Sequence, residues 1–108
     1  MKFAEITQGR VIVLGPASLD AASMVEFARV WDPQWFHTDA TRAAASRWGG
    51  LIASGWQSCA LAMKLAVEHV LAGSESFGSP GLDYVKWSAP LRPGDAVTLT
   101  MTVEEARR

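Results

Sequence analysis

An aspartate and a histidine, Asp32 and His37, stand close together in the segment Trp31-Asp32-Pro33-Gln34-Trp35-Phe36-His37-Thr38-Asp39. A carboxylate and an imidazole that converge on one water can pass protons in both directions, which the addition of water to an activated double bond requires. On the ordinary aspartate value of about 4, Asp32 is ionised at neutral pH. The same residues also have a plain structural reading. An Asp before proline ends a helix, and a His among aromatics is commonly a packed, hydrogen-bonded ring. Spacing alone leaves both readings open.

The second group of interest is Gly49-Gly50-Leu51-Ile52-Ala53-Ser54-Gly55-Trp56. Paired glycines and then Ser54-Gly55 stand at the mouth of a helical pattern. The first N–H groups of a helix have no partner within it, so they can receive a developing negative charge. A thioester enolate oxygen held there would be stabilised as in an oxyanion hole. Gly50, Ser54 and Gly55 are the candidates for that role, and Gln34 offers a side-chain amide nearby. The alternative is that the glycines only let loop and sheet pack closely.

These residues need elements to hold them. Residues 3–14 contain Val11-Ile12-Val13-Leu14 and end on Gly15-Pro16, a strand and then a turn. A helix is predicted from about Leu19 to Val30, capped by Ser18 or Asp20 and stopped at Asp32-Pro33. A short helix follows from Asp39 to about Arg47, capped by Thr38 or Asp39. From about Ser54 to Leu71 the polar residues Gln57, Lys64 and Glu68 form a narrow stripe, and apolar residues cover the rest. So wide an apolar arc predicts a helix buried on most sides. Residues 73–81 read as a Gly/Ser/Pro loop and Leu82–Ala89 as a strand, with Pro90–Asp95 as a tight connection. Val97, Leu99, Met101 and Val103 then alternate with Ala96, Thr98, Thr100 and Thr102, the clearest strand in the chain.

A single apolar helix flanked by strands calls for a sheet curved around it, an α+β arrangement of hotdog outline. Three strands are few for that task. The chain reaches Arg107-Arg108 directly after its best strand, so a single hotdog domain over 1–108 is expected to lack C-terminal strands or to borrow them from another chain.

Composition narrows the function. With 108 residues the chain forms one domain, and 49% hydrophobic residues mark a packed globule rather than a disordered segment. Ten basic against eleven acidic residues give a net charge of −1 with no like-charged block, so neither nucleic acid nor an anionic membrane is an expected partner. The lone Cys59 cannot form an internal disulfide, the N-terminus shows no secretory h-region, and polar residues interrupt the long apolar stretch. These features fit a cytoplasmic protein without a membrane span. No Cys/His cluster has metal-ligand spacing, no phosphate-binding glycine loop appears, and no cofactor is expected.

Taken in order, Asp32–Asp39, Gly49–Trp56 and Pro90-Leu91-Arg92-Pro93-Gly94-Asp95 resemble the hydratase motif and the late-strand turn of the MaoC-like dehydratases. The resemblance runs over about residues 18–103. It implies a hotdog fold, a homodimer or higher homo-oligomer, and an acyl-CoA or acyl-carrier thioester as substrate. It places the catalytic acid and histidine on Asp32 and His37 and a thioester oxyanion donor near Gly55. The implied reaction is hydration of a trans-2-enoyl thioester to a (3R)-hydroxyacyl thioester, or the reverse dehydration. The chain departs from the pattern at Gln34-Trp35, where the family has Asn-Pro. It also carries Ser54 and Gln57 where many relatives carry His.

An acyl-CoA thioesterase and a non-catalytic acyl-thioester-binding or assembly subunit are the alternative functions, because one fold hosts several chemistries. Of the remaining residues, Trp48 and Trp56 are candidate walls of an acyl tunnel. Arg47, Lys86 and Arg92 are candidate contacts for coenzyme A phosphates. His69 and Cys59 are read as structural.

Overall fold

A computed structural model describes residues 1–75 and 78–107. Ser76 and Phe77, within the loop expected over 73–81, and Arg108 lie outside the described residues. Strand β1 (Val11–Ala17) leads into helix α1 (Ala21–Trp31), the short helices α2 (Trp35–Thr38) and α3 (Ala40–Ala44), the long helix α4 (Gly55–Ala66) and strand β2 (Val97–Thr102). A π-helical turn, Val67–Leu71, prolongs α4.

The helices start where short polar side chains satisfy their first amides. Asp20 accepts from Ser23 N at the head of α1, Asp39 accepts from Arg42 N at the head of α3, and Ser54 accepts from Trp56 N at the head of α4. Asp32 leaves helical geometry (φ −158°, ψ 70°) and closes α1, as its place before Pro33 dictates. Trp35–Thr38 forms a helical turn of its own, which the sequence reading treated as loop.

β1 and β2 pair antiparallel, with Ile12 opposite Met101 and Leu14 opposite Leu99. The ladder shifts between Leu14 and Ala17. There Gly15 takes φ +107°, and a Cβ on it would lie 2.9 Å from the Val97 carbonyl, so only glycine passes. The expected turn before β2 is present: Arg92 N donates to the Asp95 carboxylate, and Asp95 N donates to the Arg92 carbonyl.

Four expectations are corrected. The first strand begins at Val11 rather than near residue 3, and Phe3–Glu5 forms a 3-10 turn instead. Leu82–Ala89 is not a strand. With Leu82 74% and Tyr84 82% exposed, it pairs with no strand among the described residues, and strand propensity is expressed only in a packed ladder. The long helix is not enclosed. Among the described residues the sheet has two strands, and Trp56, Met63 and Val67 of the helical stretch stay exposed. A radius of gyration of 16.2 Å, against about 13 Å for a compact domain of this size, expresses the same openness. Gln57, assigned from sequence to the polar stripe, is buried, and its amide donates to the Ser23 carbonyl and hydroxyl.

The best-packed region lies beneath the Asp32–His37 segment. Met24 of α1, Ala43 of α3, and Leu51 and Ala53 of the intervening segment form one buried cluster, against which Leu19, Val25 and Leu91 pack. Segment 51–53 acts as a strut. Ile52 N donates to the Phe36 carbonyl of α2, and Ala53 N donates to the Leu91 carbonyl at 2.8 Å. The core thus fixes α1, α2 and the head of α4 relative to one another. No helix among the described residues is long and apolar enough to cross a membrane.

Candidate active site

Asp32 ends α1 and His37 belongs to α2, one short turn further along the chain. The bend at Pro33 folds the second helix back on the first. Across it, His37 Nε2 lies 3.2 Å from Asp32 Oδ2. The imidazole is 6% exposed and the carboxylate 18%, so the pair is screened but reachable.

The other ring nitrogen explains the orientation. His37 Nδ1 is 2.7 Å from the Ile52 carbonyl, which can only accept, so the proton belongs on Nδ1 and Nε2 is the atom turned to Asp32. A proton lying between Nε2 and Oδ2, 3.2 Å apart, would be hydrogen-bonded to both atoms. Phe36 packs edge-on against the ring with centroids 4.5 Å apart and restrains its rotation.

Burial opposes ionisation of Asp32, but hydrogen bonds from Gln34 and Ser54 and the neighbouring His37 outweigh it and hold the carboxyl below its ordinary value. The Gln34 amide donates to Oδ1 at 2.8 Å. Ser54 is fully buried; its oxygen accepts from Trp56 N while its hydroxyl donates to the carboxylate. The residue that caps α4 therefore also anchors the acid.

A cavity of about 340 Å³ opens on His37; Gly55, Phe36, Trp48 and Trp87 are among its other walls, and Asp32 stands behind His37 rather than in the lining. His37 and the first residue of α4 thus face one space. The Gly55 N–H, first in its helix, has no acceptor within that helix. A cavity with a larger volume, about 440 Å³, lies between α4 and β2 and contains none of these groups.

The structure brings Asp32, His37, Gln34 and Ser54 into direct contact and sets Gly55 across the cavity. Gln34 is turned to the carboxylate rather than to the cavity. Gly50 is not a wall of that cavity; it lies beside the Arg92 guanidinium. Arg47 stacks on Trp48 at 4.7 Å. Trp56 lines no part of the cavity and packs edge-on against Trp87. His69 is exposed and far from the pair in the chain, and Cys59 is free.

Sequence reasoning missed two participants. The Ile52 carbonyl that orients His37 is a backbone group, and no side-chain pattern announces it. Trp87 was read simply as part of a strand. Its only signal was a large aromatic a few residues before the Pro90–Asp95 turn.

Comparison with known proteins identifies the family and the fold. A family model described as "MaoC like domain" matches residues 3–108. Uncharacterized protein YdeM of Bacillus subtilis is 30% identical over 95 residues, covering 88% of this chain and 67% of YdeM. The crystal structure of a MaoC-like dehydratase from Rhodospirillum rubrum superposes with a TM-score of 0.70 at 31% identity, covering 92% of this chain and 67% of the other. R-hydratase PhaJ1 from Pseudomonas aeruginosa, unliganded, gives a TM-score of 0.70 at 27% identity, covering 95% and 64%. The chain thus spans about two thirds of the length of these relatives. It belongs to the MaoC-like dehydratase family, and its fold is the hotdog fold of that family.

Ser54→Ala tests how the acid is held. It removes the cap of α4, which costs about 1 kcal/mol, and withdraws a donor from Asp32. The expected result is a lower urea midpoint together with an acid limb of the pH–rate profile displaced to higher pH. An unmoved acid limb would show that the Ser54 hydroxyl does not support the carboxylate.

Proposed function

We propose that this protein hydrates trans-2-enoyl thioesters, carried by coenzyme A or an acyl-carrier protein, to (3R)-hydroxyacyl thioesters, or runs the reverse dehydration. The observation that carries this reading is the 3.2 Å contact between His37 and Asp32 beside a cavity that also reaches the head of α4. Membership in a dehydratase family and likeness to an R-hydratase support the reaction class.

The chemistry follows from where protons can sit. A water lodged against the pair gives a proton to the Asp32 carboxylate as its oxygen bonds to C3 of the substrate. The C2–C3 π electrons move toward the thioester carbonyl, and the Gly55 N–H receives the charge that grows on its oxygen. The Nε2–H of His37 then delivers a proton to C2, and transfer from Asp32 back to Nε2 restores the pair. One water is consumed, and no thioester bond breaks.

Loss of the enoyl-thioester absorbance of crotonyl-CoA, with chiral analysis of the product, tests the proposal. Formation of (3R)-hydroxybutyryl-CoA is expected. Release of free thiol in its place would identify a thioesterase. A folded protein that binds acyl-CoA without turnover, with binding indifferent to His37→Ala, would identify a non-catalytic binder.

A further inference from the structure

The cavity beside His37 has one wall that the proposed chemistry does not use. The indole of Trp87 is laid directly on the backbone of Gly55; a Cβ added to Gly55 would overlap three of its ring atoms. Trp56 meets the same indole edge-on, with centroids 5.2 Å apart and planes at 79°. Four residues on, the Leu91 carbonyl accepts from Ala53 N and ties this segment to the strut that also orients His37. Trp87 is therefore a braced wall even though half of its surface is exposed. It stands over the residue where the thioester oxygen would bind, so an acyl chain directed toward it from that point meets the indole; the neighbouring cavity between α4 and β2 shares the walls Ser58, Ala89, Pro90 and Leu91 with this one. At about 340 Å³ the space is at the small end of ligand pockets, which run from about 300 to 1,000 Å³.

We infer that Trp87 sets the upper limit on acyl-chain length at this site and makes the protein selective for short-chain thioesters. The inference rests on the proposed thioester substrate but not on hydration as its fate. The wall acts by exclusion: a longer chain must displace an indole that is held by Gly55 beneath it and Trp56 at its side. Truncating the indole clears that volume and leaves Asp32, His37 and Ser54 in their contacts.

The test compares wild type with Trp87→Ala, and with Trp87→Leu should the alanine variant lose its near-ultraviolet circular dichroism. Hydration of crotonyl-CoA and trans-2-octenoyl-CoA is measured beside calorimetric binding of butyryl-CoA and octanoyl-CoA. The expected result is a ratio of kcat/KM, octenoyl over crotonyl, at least tenfold higher in the variant, with the binding ratio moving in the same sense. An active wild type whose ratios do not change on truncation overturns the role of Trp87 and leaves the hydratase reading intact. A wild type inert on both enoyl substrates whose binding ratio still shifts on truncation upholds the wall and removes the hydratase reading. Absence of binding as well as turnover overturns both.

Discussion

His37→Ala is expected to lower kcat for crotonyl-CoA hydration by about 100- to 10,000-fold, the range that a positioned proton-transfer group supplies. The variant loses more than a proton carrier. It leaves the Ile52 carbonyl, buried within the strut, without its donor, and an unsatisfied buried acceptor costs about 1–3 kcal/mol. Reduced activity alone would therefore not separate chemistry from folding. His37→Asn separates them, because its amide can donate where Nδ1 does but offers no titratable nitrogen to Asp32. It should regain most of the urea midpoint lost in the alanine variant and almost none of the rate. An alanine variant that is folded and within fivefold of wild-type kcat would remove His37 from the reaction.

The parts of this site that depend on local chemistry were legible in the sequence. Of the caps the sequence offered, Asp20 rather than Ser18 and Asp39 rather than Thr38 hold the first amides of α1 and α3; Ser54, read only as the start of the helical pattern, caps α4. Asp32-Pro33 ends α1 because proline excludes helical geometry from the residue before it. The alternation from Val97 to Thr102 gives β2 its side-by-side burial pattern. Convergence of Asp32 on His37 follows from the helix stop, which was legible, and from the one-turn helix Trp35–Thr38, which was not.

What depended on distant partners was not legible. Leu82–Ala89 has strand-forming residues, but a strand exists only when another pairs with it, and that is decided elsewhere in the chain. The apolar arc of α4 predicted enclosure, yet periodicity reports which residues favour burial and not how much sheet is present to bury them. Gln57 shows the converse. It fits a polar stripe by type, but Ser23 supplies a carbonyl and a hydroxyl to its buried amide nitrogen, while the amide oxygen finds no partner among the described residues. The seating of Trp87 on Gly55 links residues 32 positions apart, beyond the reach of any spacing argument.

Asp32→Asn tests the other half of the pair, and its two readouts must agree. The change is nearly isosteric. It removes the charge that Gln34, Ser54 and His37 all favour and leaves no carboxylate to take a proton from water. A fall in kcat of about 100- to 10,000-fold is expected. Combining it with His37→Ala should add little, because two groups that act in one proton relay fail as a unit. Stability supplies the second readout. The folded-state value of Asp32 lies below that of the unfolded chain, so the ionised carboxylate contributes stability above about pH 4. That contribution fades as pH falls through the lower folded value, because protonation then costs the native state its favoured anion. The gap in urea-unfolding free energy between wild type and Asp32→Asn should accordingly be widest near neutral pH and narrow steadily on acidification. A gap that stayed constant from pH 7 down to pH 3 would mean that the carboxylate is not held as an anion. Asp32 could then take no proton from the attacking water.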